Sequence, residues 1–361
     1  MITTPTLILD EEKCKKNIQK MADKANHHHV VLRPHFKTHQ SLEIGRWFKD
    51  VGVSKITASS LTMADYFSSE WDDITVAFPT NILEIEKIND LASRITLNVL
   101  VESEQTMAYL GEHTKAELGI FIKIDVGTHR SGIHPGNIAL ISSMLEIVER
   151  FPLLQFKGFL GHAGHTYHCR SESCIKTIHN ESQNIMTKLK SNFINTYPDL
   201  IISLGDTPGC SVGDNFAGLD EIRPGNFVFY DLTQSSIGST TNDNISVAVA
   251  CPIVAIHHDR SEIVVYGGGV HFSKDRLENE PEGTIYGRVA KKIGNGWGDI
   301  ISGMYVHKVS QEHGVLTVPF DEISKYNIGD ILMILPVHSC MTADLLKKYL
   351  TLDNRWITML K

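Results

Sequence analysis

Val30-Val31-Leu32-Arg33-Pro34-His35-Phe36-Lys37-Thr38-His39 is a short apolar run that stops in a knot of cationic and ring side chains. It reads as the end of a buried strand. In a parallel α/β barrel, the C-terminal end of a strand is where chemistry is done. Lys37 sits at that end. Crowding by Arg33 and the neighbouring imidazoles is expected to lower its pKa, which favours a nucleophilic amine able to form a Schiff base. A lysine after an arbitrary strand is more often a plain surface residue, so the rest of the chain must supply the context.

Seven further apolar runs follow, over residues 55–60, 74–79, 95–101, 120–126, 154–160, 200–204 and 221–230. Segments of helical spacing lie between most of them, such as Ile82, Ile85, Ile88 and Leu91. Strands alternating with helices argue for parallel βα units. Eight units in roughly 230 residues match a (β/α)8 TIM-type barrel, placed here at residues 10–240. Beyond residue 240 the texture changes to short β-rich runs at 247–249, 263–265, 305–307, 315–318 and 331–335. Gly267-Gly268-Gly269 and Gly294-Asn295-Gly296 punctuate them. Residues 241–361 therefore read as a C-terminal all-β domain, which the opening strand at 6–9 joins, so that residues 1–9 are counted with it.

Composition narrows the class. The chain has 361 residues, is 42% hydrophobic and carries a net charge of −8, which disfavours nucleic acid or an anionic membrane as partner. The first residues lack the basic and apolar regions of a signal peptide, and no apolar run reaches membrane-spanning length. The six cysteines follow no framework spacing, as expected of reduced thiols in a cytoplasmic protein. His27-His28-His29 reads as a solvated helix end.

Under the barrel reading the strand ends converge on one mouth and bring together Lys37, Ser59, Arg130, His162, His165, Tyr167, Thr207, Gly225 and Asn226. Barrels commonly build a phosphate site at the last two strand ends from small residues and backbone N–H groups. Gly205-Asp206-Thr207-Pro208-Gly209 and Gly225-Asn226 suit that role. A lysine on the first strand facing a phosphate cradle on the last two describes a pyridoxal phosphate site.

Several stretches carry a family pattern in order. They are Thr4-Pro5-Thr6, Arg33 to His39, Asp125-Val126-Gly127-Thr128-His129-Arg130-Ser131-Gly132, and Gly164-His165-Thr166-Tyr167. Gly205-Asp206-Thr207-Pro208, Arg223-Pro224-Gly225-Asn226-Phe227-Val228-Phe229-Tyr230, Gln311-Glu312-His313-Gly314 and His338-Ser339-Cys340 complete it. The chain resembles the alanine racemase-like, fold-type III pyridoxal phosphate enzymes, and within them the D-serine dehydratase and D-threonine aldolase group. The resemblance implies that Lys37 binds the cofactor covalently, with His35 beside it. It also implies a phosphate held by Ser203, Gly205, Thr207, Gly225 and Asn226. Arg130 would lie on the phenolate side, Tyr167 near the Schiff base, and Arg223 opposite the pyridine nitrogen.

Alternation along an extended chain would put His338 and Cys340 on one side, and an imidazole with a thiolate can hold zinc. Two ligands are few, and on residues alone a structural cysteine with a surface histidine is the commoner reading. The resemblance reverses it, because members of the group place a divalent metal there: zinc first, with manganese or magnesium as alternatives. His165, Glu312 and His313 are candidate substrate-pocket residues.

The expected activity is a metal-assisted lyase acting on a small-molecule D-β-hydroxy amino acid. Lys37 is the base, with Tyr167 as its alternative, and β-elimination gives an oxo acid and ammonia. The runner-up is retro-aldol cleavage to glycine and an aldehyde. A racemase would need a second base, and Ser236 to Asn244, where alanine racemases carry a tyrosine, holds none. A non-catalytic pyridoxal phosphate carrier would lack so long a β domain. The family resemblance also implies a homodimer.

Overall fold

A computed structural model describes residues 2–361 and divides them into two compact units. One is built from residues 19–37 and 44–225, the other from residues 2–18, 38–43 and 226–361. The chain therefore passes from unit to unit next to Lys37 and again next to Gly225.

Strand β1 (Thr6–Leu9) belongs to the unit that also holds the C-terminal residues. The other unit holds β2 (Val31–Leu32), β3 (Lys55–Ala58), β4 (Asp73–Pro79) and β5 (Thr96–Val101). It continues with β6 (Leu118–Lys123), β7 (Leu154–Gly161), β8 (Ile201–Leu204) and β9 (Glu221–Ile222). All eight are parallel, in the order β2-β9-β8-β7-β6-β5-β4-β3, and a bridge between His35 and Thr57 brings the two edges together. The result is the expected (β/α)8 barrel, nearly closed. β6 is buried at every position, as a parallel strand covered on both faces must be. Helices Leu61–Phe67, Glu104–His113, Ile138–Arg150, Glu172–Phe193 and Thr207–Val212 begin at Ser60, Ser103, Asn137, Ser171 and Asp206. Each of these side chains accepts a first-turn N–H that the helix itself leaves unpaired.

The first and last barrel strands are shorter than their apolar runs. Pro34 and Pro224 lack the N–H that a ladder needs, so β2 and β9 keep two residues each. Arg33 compensates. Its guanidinium, 2% exposed, donates to both oxygens of Glu221 at 2.9–3.0 Å and to Asp73 at 2.7 Å. Glu221 opens β9 and Asp73 opens β4, strands that are not neighbours in the sheet, so the side chain reaches across the barrel interior. Arg33 was expected to crowd Lys37. Its charge is instead spent on two carboxylates.

The second unit contains β10 (Val247–His257), β11 (Glu262–Tyr266), β12 (Leu277–Glu280), β13 (Gly283–Ile285) and β14 (Gly287–Ile293). It ends with β15 (Gly296–Val309), β16 (His313–Thr317), β17 (Ile331–Pro336), β18 (Lys348–Thr351) and β19 (Trp356–Thr358). One sheet runs β11-β16-β15-β14-β17-β10-β1-β18-β19, and β11 also pairs with β10, closing six of the strands on themselves. β1 lies antiparallel to β10 and parallel to β18. β12 and β13 form a separate hairpin.

Two of the six cysteines depart from the expectation of reduced thiols. Cys169 and Cys174 are joined in a disulfide with Cα atoms 5.7 Å apart, because the turn after His168 folds back onto the start of helix Glu172–Phe193. The other four are free and buried. Among the described residues no helix is long and apolar enough to cross a membrane.

The Arg33 cluster makes a stability prediction. Removing one partner of a buried pair leaves an uncompensated charge, so Glu221→Ala should cost about 3–5 kcal/mol in urea denaturation. A loss below about 1 kcal/mol would mean that the cluster does not hold the barrel.

Candidate active site

At the mouth of the barrel, His35 follows β2 and its Nδ1 accepts the backbone N–H of Lys37 at 3.4 Å. His162 follows β7 and donates from Nδ1 to the Gly205 carbonyl at 2.8 Å. Both rings are held neutral. Burial, then the charges of Lys37, Arg223 and Arg130, with His162 adding to them, drive His35 well below the usual imidazole range. Burial outweighs the Gly205 bond and lowers His162 to about 3, with the same three cations contributing. His35, Lys37, Arg130, His162 and Arg223 are thus brought together.

The ends of β8 and β9 meet beside them. Arg223 donates from Nε to Ser203 Oγ at 2.8 Å and from Nη2 to the Gly161 carbonyl. Burial lowers it to about 10, so it stays cationic at neutral pH. Thr207 Oγ1 accepts the Gly225 N–H at 3.2 Å. Gly205 is pressed so closely on the next strand that a Cβ there would lie 2.5 Å from the Arg223 nitrogen. Asp206 caps helix Thr207–Val212 through Gly209 N at 2.7 Å and accepts from Thr166 Oγ1 at 2.8 Å. Burial raises its pKa. A side-chain-free wall, two hydrogen-bonded hydroxyls and nearby cations fit a phosphate ester, and Lys37 carries an amine of the kind that pyridoxal phosphate requires.

Tyr167 and His165 lie on the short turn Gly164–His168 after β7. Thr166, between them, anchors that turn to Asp206.

Sequence reading missed Lys123, the last residue of β6. The residue is 5% exposed, and its Nζ donates to the Ile124 carbonyl at 2.8 Å. Burial, aided by Arg223 and Arg130 and opposed by Asp125 and Glu102, lowers it to about 7. The signal was a lone lysine inside the apolar run Ile120 to Val126, passed over as strand.

In the second unit, the extended geometry assumed for His338-Ser339-Cys340 does not hold. His338 is the N-cap of helix Ser339–Leu346 and Cys340 lies in its first turn. The imidazole nonetheless reaches the thiol, and its Nδ1 meets Asp275 Oδ2 at 3.0 Å. Burial alone would lower His338, but Asp275 and Cys340 reverse this and push it up to about 11. Cys340 Sγ also contacts Thr38 Oγ1 at 3.2 Å and Asn226 Nδ2 at 3.4 Å. Asp231 organises the motif by accepting from Asn226 Nδ2 at 2.7 Å and Ser339 N at 3.0 Å.

Among the described residues, no group of three or more His, Cys, Asp or Glu side chains is placed to hold a metal ion. The pair still has the chemistry of a partial shell. A carboxylate orients the imidazole from behind, as it does for metal-bound histidines, and the buried Asn226 Oδ1 has no protein partner. Glu312 lies 3.7 Å from His271 Nε2 and is half exposed, while His313 opens β16 opposite Tyr266. A separate pocket of about 210 Å³ at the ends of β3 to β5 is lined by Ser59, Val76, Phe78, Thr80 and Asn81, and shares only Ser59 with the expected mouth.

The family described as alanine racemase, N-terminal domain, matches residues 9–232, and that described as putative serine dehydratase domain matches residues 246–352. The chain is 30% identical to the D-serine dehydratase of Dictyostelium discoideum, over 98% of this chain and 94% of the relative. Two solved structures are similar in fold. D-threo-3-hydroxyaspartate dehydratase from Delftia sp. HT23 has a TM-score of 0.91 at 23% identity, covering 100% of this chain and 98% of that one. D-threonine aldolase from Filomicrobium marinum has a TM-score of 0.82 at 18% identity, covering 99% and 97%.

Lys123 makes a pH-dependent prediction. Its amine is lowered to about 7 from the usual 10.5, so between these values the unfolded chain binds the proton more tightly. The residue therefore costs stability below pH 7, and the cost fades as pH rises toward 10.5. Lys123→Met should gain about 4–5 kcal/mol in denaturation at acid pH and almost nothing near pH 11. A gain that does not change with pH would overturn this.

Proposed function

The chain belongs to the alanine racemase-like, fold-type III pyridoxal phosphate lyases of the D-serine dehydratase group, and from that premise we propose β-elimination of a D-β-hydroxy amino acid to an oxo acid and ammonia. The observation that carries the reading is the excess of cation at the barrel mouth. Lys37, Arg130 and Arg223 all depress His35 and His162, and a dianionic phosphate ester balances that charge.

In this reading Lys37, His35, Arg130, Tyr167, Ser203, Gly205, Thr207, Arg223, Gly225 and Asn226 would hold the cofactor. When bound, pyridoxal phosphate supplies the electron sink for a carbanion at Cα. The protein residues do the rest. Lys37 Nζ takes the Cα proton, and Tyr167 Oη is the alternative acceptor. His35 and His162 stay neutral, so the lysine amine keeps no imidazolium beside it. Arg223 holds its own proton at neutral pH and is fixed in direction by Ser203 and Gly161. His338 and Cys340 would hold a divalent ion, and thiolate with imidazole favours zinc over manganese or magnesium. When bound, such an ion would supply Lewis acidity for a substrate hydroxyl. His165, Glu312 and His313 complete the proposed substrate pocket. A homodimer in the cytoplasm belongs to the same proposal, by family resemblance, and the Cys169–Cys174 disulfide is the feature that runs against that location.

Incubation with D-serine and D-threonine decides the reaction. An oxo acid with ammonia is the expected outcome. Glycine with an aldehyde would replace elimination by retro-aldol cleavage, and the L enantiomer would make the protein a racemase. Lys37→Ala should lose the visible absorbance of lysine-bound cofactor, and an unchanged spectrum would sink the cofactor assignment. Chelation should remove lyase activity, with zinc restoring it; full activity in metal-free protein would refute the role given to His338 and Cys340.

A further inference from the structure

Thr128, in the segment after β6, makes three contacts through one hydroxyl. The His162 carbonyl can only accept and lies 2.7 Å from Oγ1. The Gly164 N–H can only donate and lies 2.9 Å away. The third contact is His165 Nδ1 at 3.2 Å. A hydroxyl has a single proton and two lone pairs. Its proton is spent on His162 and one lone pair on Gly164. The contact with His165 is therefore satisfied only if Nδ1 carries the hydrogen and donates it.

A neutral imidazole protonated at Nδ1 exposes a lone pair at Nε2. The environment favours the neutral ring. Burial lowers its pKa, and His129 adds to that. Asp206 at the start of helix Thr207–Val212, Asp125 after β6 and Glu181 on helix Glu172–Phe193 oppose it. The Nε2 edge lies beside Gly127, where the missing side chain leaves it uncrowded. Gly127 has φ +114°, in the region that favours glycine, and a Cβ there would stand 3.2 Å from His165 Nε2 and Cε1.

We propose that His165 accepts a proton through Nε2 from the amino-acid substrate, and that Thr128 is the positioning residue that fixes its tautomer. The inference rests on the reaction proposed above. The Nε2 lone pair takes a proton from the substrate ammonium, whose N–H bond breaks to leave a free amine. The imidazolium, eased by the charges of Asp206, Asp125 and Glu181, then gives that proton to the departing β-hydroxide, which leaves as water.

Long-range 1H–15N spectra of histidine-labelled, cofactor-free protein read the tautomer directly. Wild type should show His165 as the Nδ1–H form. Thr128→Val should lose that single tautomer, and Thr128→Ser should keep it. An Nε2–H form in the wild type overturns the assignment. In the loaded enzyme, kcat/KM should fall with acidity below the ordinary imidazole range. Thr128→Val should lower kcat/KM at least tenfold and shift that limb with the cofactor absorbance intact, while Thr128→Ser restores both. A Thr128→Val profile matching wild type overturns the role in proton transfer. Absence of turnover by wild type on any D-amino acid would overturn the proposed reaction, whereas the wrong tautomer overturns the Thr128–His165 assignment alone.

Discussion

A single arginine holds the seam on which the barrel depends. β2 and β9 are two residues long, and among the described residues the backbone bridge across the sheet's remaining gap is that between His35 and Thr57. Two-residue ladders provide few hydrogen bonds. Arg33 adds a guanidinium bound to Glu221 and Asp73, and its carbonyl accepts Thr57 Oγ1 at 3.1 Å. Backbone and side chain thus tie β2 to β9, β3 and β4 at once. A buried pair of charges gives little net stability over an apolar core, but removing one partner would leave a buried charge unmatched, so the seam depends on Arg33, Glu221 and Asp73 being present together. His35 and Lys37 follow within four residues and inherit their positions from it.

The mouth combines two charge states that water would not keep side by side. Burial holds His35 and His162 neutral, each with one ring N–H, and the nearby cations deepen the effect. Arg223 survives as a cation because a guanidinium starts so high that even a large loss leaves it protonated. Neutral rings can therefore give and accept directed hydrogen bonds among permanent positive charges. Asp206 adds order by joining the turn that carries Tyr167 to the helix that begins at Thr207.

The alternation of apolar runs was enough to read the eight-stranded barrel and the β-rich remainder. Charged residues inside strands were harder. Arg33 read as a neighbour of Lys37 because sequence distance suggested it, while its true partners Asp73 and Glu221 lie 40 and 188 positions away. Lys123 went unnoticed because one lysine barely disturbs an apolar run. The contact between His338 and Cys340 was anticipated from an extended chain and arises instead at a helix start, where the cap and the first turn converge. The Cys169–Cys174 bond was missed because no framework surrounds it.

β1 pairs Thr6 with Ala250 and Ile8 with Leu350, so its two partners arrive late in synthesis. At about 5–20 residues per second, the strand waits roughly 20–70 s for β18 to be made. Until β10 is made both hydrogen-bonding edges of this apolar segment are open, and one stays open until β18 follows. The barrel strands are complete by Ile222 and can close much sooner. The unit that carries His338 and Cys340 thus cannot complete its sheet until the last strands are made, long after every barrel strand is available.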